Sequence, residues 1–147
     1  MMPLTVRAVT RGELSQVLDL IDQFDRPQAP RPMPARLDDV FLTIKSNGGE
    51  VIGAFDGAKL LGTCTLNICA NLSWSSRPYG IIENVIVLES KRGLGIGKKL
   101  MQFAIELAEQ NDCYKVALMT GSKRKSTLRF YESAGFEQSK TGFQIRF

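Results

Sequence analysis

The chain has 147 residues, 44% of them hydrophobic and 23% charged, which is the profile of one water-soluble globular domain spanning residues 1–147 with a core of its own. It contains no histidine, which removes the commonest general base, the Ser-His-Asp and Cys-His arrangements, and the commonest zinc ligand. The net charge of +4 is unevenly placed: Lys91, Arg92, Lys98, Lys99, Lys115, Lys123, Arg124, Lys125 and Arg129 all fall in the second half, as suits an anionic ligand, whether nucleic acid or a phosphorylated small molecule.

In chain order, Leu4 to Val9 alternates and predicts a short strand. Leu14, Val17, Leu18 and Ile21 recur at helical spacing within "GELSQVLDLIDQF". Four prolines make "RPQAPRPMP", Arg26 to Pro34, a loop, and a second helix is expected over Leu37 to Lys45. "EVIGAFDGAKLLGTCTLNI" predicts a hairpin turning at "DGA", followed by a loop at "NLSWSSRP". Tyr79 to Leu88 is almost wholly apolar and β-branched, so it predicts a central strand buried on both faces, interrupted by Glu83. Leu100, Phe103, Ala104, Leu107 and Ala108 form one helical stripe, and Tyr114 to Thr120 follows as a strand. "STLRFYESAGF" predicts a short helix ending at Gly135, and "TGFQIRF" a last strand. The resulting fold class is α+β, a three-layer α/β arrangement with a mixed, mostly antiparallel sheet flanked by helices.

No apolar run reaches membrane-spanning length and no signal-peptide pattern opens the chain, so a cytoplasmic protein with no membrane partner is expected. Cys64, Cys69 and Cys113 lack C-x-x-C spacing and read as buried small hydrophobes in a reducing compartment. No metal site is expected. Asn71 heads an N-L-S sequon, which reads as chance in such a protein.

The densest signal is "ESKRGLGIGKKLM", Glu89 to Met101, between a strand and a helix. Glycines there let the backbone approach an anion, and a helix start offers unpaired N–H groups and a positive dipole end. A strand-to-helix turn needs one glycine; three, flanked by Lys91, Arg92, Lys98 and Lys99, favour phosphate. Lys99 stands where a Walker loop needs Ser or Thr, and G-x-G-x-G is not the dinucleotide fingerprint.

Arg92 to Gly97 reads R-x-x-G-x-G and resembles the acetyl-coenzyme A signature of the Gcn5-related N-acetyltransferases (GNAT). The strand "ENVIV" ends five residues before it, and "LRFYESAGF", Leu128 to Phe136, is similar to the family's later tyrosine-bearing motif. The resemblance implies an acyl-CoA N-acyltransferase fold and an acetyltransferase with acetyl-CoA as donor and no metal. It implies that the backbone of Gly93, Leu94, Gly95, Ile96, Gly97 and Lys98 cradles the coenzyme pyrophosphate, with Arg92 at the first signature position. Val85, Ile86 and Val87 would pair their backbone with the pantetheine arm where this strand splays from its parallel neighbour. Tyr131 matches the tyrosine that protonates the leaving thiolate. Glu83 is the base candidate, directly or through water, and burial in an apolar strand would strengthen a carboxylate as a base; pairing with a basic residue across the sheet is the competing reading.

The chain departs from the pattern in two places. Arg124 stands where many members carry Asn, and it could still reach coenzyme phosphates; the strand before the tyrosine helix holds no acid. Short matches to glucosamine-6-phosphate and aminoalkylphosphonate acetyltransferases suggest a small, anionic amine as acceptor. Gln23 to Asp38 and Asn67 to Tyr79, with Trp74, are expected to shape the acceptor site. A protein or peptide amine and a non-catalytic acetyl-CoA sensor are the alternatives. A nucleic-acid partner is not expected, since neither interleaved aromatics nor a helix-turn-helix pattern accompanies the basic half. The resemblance also allows a homodimer to which the last strand contributes.

Overall fold

The computed structural model describes residues 3–24 and 27–147. Its elements run β1 (Leu4–Ala8), α1 (Leu14–Ile21), α2 (Pro34–Ser46), β2 (Glu50–Asp56), β3 (Lys59–Cys69), a four-residue turn α3 (Ser73–Ser76), β4 (Tyr79–Val87), α4 (Ile96–Gln110), β5 (Val116–Leu118) and α5 (Lys125–Ser133). Pro34 opens α2 at its first turn, where a missing N–H costs nothing. Arg26, at the start of the proline-rich loop, lies outside the described residues. Further along that loop Arg31 ties back to α1 through Asp19 and Asp22, at 2.6 and 2.7 Å.

The five strands form one sheet in the order β1-β2-β3-β4-β5, antiparallel except for the β4–β5 pair. β2 and β3 meet across Gly57-Ala58, with Asp56 opposite Lys59, so the expected hairpin forms with a two-residue loop. One face of the sheet carries Val9, Val51, Phe55, Leu60 and Ile86 against Leu14, Val17 and Leu20 of α1 and Phe41 of α2. The other carries Ile52, Ala54, Cys64, Leu66 and Ile82 against Ile96, Leu100, Met101, Ala104 and Ala108 of α4. Alternation along the strands feeds the two layers separately. Cys64 and Cys113 are buried and Cys69 is half-buried, all three as free thiols.

β4 departs from the expected strand buried on both faces. Thr65 lies opposite Glu83 but Thr63 lies opposite Ile86, so β4 carries one residue more than β3 over the same stretch. Asn84 takes up this bulge at φ 54°, a left-handed conformation that Asn tolerates better than most residues. The extra residue inverts the alternation: Ile82 faces α4, whereas Ile86 faces α1 and α2. Glu83 is exposed rather than buried, because α2 stands over this part of the sheet with a cleft between them.

Two further expectations change. The strand expected over Tyr114 to Thr120 shortens to Val116–Leu118. The strand expected at "TGFQIRF" is absent, and residues 137–147 are exposed without regular structure. Phe143 and Ile145 are 92% and 83% exposed. The alternation is in the sequence, but a strand needs a paired neighbour, and the neighbouring edge, β5, is three residues long. Among the described residues no helix is long and apolar enough to cross a membrane.

Candidate functional site

The glycine stretch forms the entrance to α4. Gly93 and Gly95 have φ of 78° and 82°, and a Cβ at either would project into open space. Gly95 caps the helix, and its carbonyl accepts from Lys99 N–H at 3.2 Å. Among the described residues, the N–H groups of Gly93, Leu94, Gly95, Ile96, Gly97 and Lys98 have no backbone acceptor. Six consecutive donors thus meet at the positive end of a 15-residue helix, beside the exposed basic side chains of Arg92, Lys98 and Lys99. Gly97 serves a different end: a Cβ there would come within 2.9 Å of the Phe130 ring, so the third glycine lets α5 pack against the first turn of α4.

Next to this cradle the sheet opens. β4 and β5 pair over Gly80–Val116, Ile81–Ala117 and Ile82–Leu118 and no further. Beyond that point Val85, Ile86 and Val87 continue along β3 alone. Leu88 N–H donates to Leu61 O at 2.8 Å, so by the alternation of an antiparallel ladder Val87 turns its own N–H and C=O away from β3, toward the gap. Arg92 Nε donates to Val87 O at 3.1 Å. That contact joins the first signature residue to the strand and occupies one acceptor in the gap. Arg124 is exposed at the N-cap of α5, its N–H 3.3 Å from Ser122 Oγ.

Tyr131 lies on the α4 side of the sheet, half-buried against the core. Its helix ends in a left-handed cap, with Gly135 at φ 103°. Gly135 N–H donates to Glu132 O at 3.0 Å and Phe136 N–H to Tyr131 O at 3.1 Å, the Schellman pattern of reverse bonds. The cap folds the Phe136 ring against Tyr131, with centroids 6.2 Å apart, while Phe130 closes from another side at 4.9 Å. "FYESAGF" is therefore a device that locks the tyrosine ring. Burial raises the Tyr131 pKa above its usual value, with the Cys64 sulfur as the second cause, so the hydroxyl stays protonated through the neutral range. Burial also pushes the Cys64 thiol up to about 12, which makes it an inert packing group.

Glu83 faces the opposite side of the sheet, into a cleft of about 540 Å³ beneath α2. Arg36, Asp39, Val40, Thr43 and Ile44 of α2 line it, together with Thr65 and Asn67 of β3 and Glu83 and Asn84 of β4. The α2 positions follow i, i+3, i+4, i+7 and i+8, one face of the helix. Thr65 and Asn67 are two apart on a strand and share a face. Of the two segments expected to shape an acceptor site, the first contributes Arg36 and the second Asn67. Gln28 to Pro32 close a separate cavity of about 140 Å³ over α1. Trp74 stacks on Tyr114 at 5.3 Å and does not line the cleft. Arg36 lies within a segment expected to shape the acceptor site, whereas Asp39 and Asn84 line the cleft without having been identified from sequence. The available signals were polar residues sharing one face of α2 and an Asn inside a β-branched strand.

Tyr131 and Glu83 thus stand on opposite faces of the sheet. The Acetyltransferase (GNAT) family model matches residues 14–136. A glucosamine 6-phosphate N-acetyltransferase of Trypanosoma brucei brucei is 30% identical over 136 residues, covering 90% of this chain and 88% of that protein. An aminoalkylphosphonate N-acetyltransferase of Salmonella typhimurium is 38% identical over 64 residues, 44% of this chain and 42% of that protein. The solved structure of an Agrobacterium tumefaciens protein superposes with a TM-score of 0.85 at 40% identity, covering 97% of this chain and 99% of that one. The family match over most of the chain and the shared fold show that the chain belongs to the GNAT family and is an N-acetyltransferase.

Proposed function

We propose that the protein transfers the acetyl group of acetyl-CoA to the primary amine of a small molecule by direct attack. The observation that carries this reading is the run of six N–H groups from Gly93 to Lys98 without a backbone acceptor, with open space at Gly93 and Gly95 and with Arg92, Lys98 and Lys99 flanking it. These groups fit a pyrophosphate, and Arg124 at the start of α5 adds a cation for further phosphate. The gap beside Val85, Ile86 and Val87 fits an extended amide-bearing arm, which would pair with the freed backbone. Acetyl-CoA, when bound, supplies the activated acyl group.

The chain's own residues do the rest. Glu83, exposed on the cleft side, takes a proton from the incoming ammonium, directly or through one water. A backbone N–H of the Val85–Val87 segment polarises the acyl oxygen as attack proceeds. The C–N bond forms, the C–S bond breaks, and the Tyr131 hydroxyl gives its proton to the departing sulfur. A phenol kept neutral by burial is suited to that step.

The names of the two relatives make amino-sugar phosphates and aminophosphonates the first acceptors to try. The test is acetylation across a panel of amines, with thiol release as the readout. Turnover of at least one small amine is the expected result. Acetyl-CoA binding without turnover on any small-molecule or peptide amine would favour a sensor instead, and turnover of peptide amines alone would move the acceptor class to proteins.

A further inference from the structure

The cleft beneath α2 holds three charged side chains, Arg36, Asp39 and Glu83. Among the described residues six ion pairs form elsewhere, and none of these three takes part in one. The contrast within α2 is direct: Asp38 pairs with Arg11 at 3.4 Å, while its neighbour Asp39 points its charge into the cleft unpaired. Opposite charges that share a concave site without meeting leave room for a ligand that bridges them. Arg36 and Asp39 stand one helical turn apart on one face of α2, and Glu83 projects from β4 beneath them. Thr43, Thr65, Asn67 and Asn84 add neutral hydrogen-bonding groups along the wall.

Building on the acetyl-transfer reading, we infer that Arg36 recognises an anionic group on the acceptor while Glu83 and Asp39 receive its ammonium. The acceptor is therefore a small zwitterion, an amine that also carries a carboxylate, phosphonate or phosphate. Arg36 is the cation among the described lining residues, and its planar fork binds such oxyanions through two parallel hydrogen bonds. Glu83 is the carboxylate on β4, next to the gap, so the amine end lies toward Glu83 with Asp39 as its second carboxylate, and the anion lies at Arg36.

The experiment uses matched amine pairs: glucosamine 6-phosphate with glucosamine, an aminoalkylphosphonate with the plain alkylamine, and an amino acid with its amide. Steady-state constants are measured for the wild-type protein, Arg36→Gln and Arg36→Lys, with acetyl-CoA affinity and melting temperature as controls. Wild type is expected to prefer the anionic member of at least one pair by about tenfold or more. Arg36→Gln should raise KM for that member by roughly 10- to 100-fold, the effect of losing a charge-assisted bond. It should leave the uncharged partner within about twofold, and Arg36→Lys should restore part of the loss. The pair that responds identifies which anion is read. Equal effects on both members, or no effect on either, would overturn the role of Arg36 while leaving acetyl transfer standing. Failure of the wild type to acetylate any amine would overturn acetyl transfer itself, and this inference with it.

Discussion

Tyr131 owes its suitability as the proposed acid to neighbours supplied by one short motif. Burial keeps its hydroxyl protonated, and Phe130 and Phe136 fix the ring. In the proposed mechanism Tyr131→Phe lowers kcat by roughly 10²-fold or more, with acetyl-CoA affinity within about twofold, as isothermal titration would report. The pH profile carries a sign as well. The phenol must be protonated to act, and its pKa lies above the usual 10, so the wild-type rate should fall only above about pH 10. Tyr131→Phe should lack that fall. The tyrosine was legible because its motif is local, a helix and its cap within nine residues. Glu83 was legible as the lone acid of an apolar strand, but its exposure was not. That exposure depends on the Asn84 bulge and on α2 standing over the sheet, and both arise from packing between segments far apart in sequence.

Among the elements, the contact between α4 and α5 couples the cradle to the tyrosine. Gly97 touches Phe130, and Phe130 touches Tyr131. Gly97→Ala leaves the helix dihedrals permissible but forces the Phe130 ring to move. It should therefore reduce kcat together with acetyl-CoA affinity, and near-wild-type constants would disprove the coupling. Gly135→Ala places a Cβ in a left-handed cap and should cost about 1 kcal/mol of stability in urea unfolding. It should also loosen Tyr131, seen as a kcat loss larger than any KM change. Elements with their own periodicity, such as α4 and the β2–β3 hairpin, were readable from sequence. The C-terminal strand was not, because its alternation describes a capacity to pair and the edge beside it is short. The proline-rich loop hid the reach of α2, whose first turn begins at the last of those prolines.

At the scale of the molecule, two cores on one sheet hold the site in place, and its openings fall where sheet pairing stops. Leu100 is fully buried in the α4 layer, and Leu100→Ala should destabilise by about 2–5 kcal/mol in chemical unfolding. Acid stability has a local source. Glu13 accepts from Arg7 at 2.7 and 2.8 Å and from Thr10 N–H at 2.9 Å, and the Arg7 bonds above all hold its carboxyl at about 2 instead of 4.5. The folded-state value is the lower one, so this contribution is complete above pH 4.5 and is lost as pH falls toward 2. Glu13→Gln should accordingly lower the melting temperature at pH 7 more than at pH 3. The central claim, that the Gly93–Lys98 cradle holds the pyrophosphate of acetyl-CoA, is tested most directly by calorimetric titration of acetyl-CoA into wild type and Gly95→Asp, each confirmed folded by circular dichroism. Wild type should bind and Gly95→Asp should lose detectable binding, because the added carboxylate projects into the open space beside the unpaired N–H groups. Equal affinity in the two folded proteins would contradict the account.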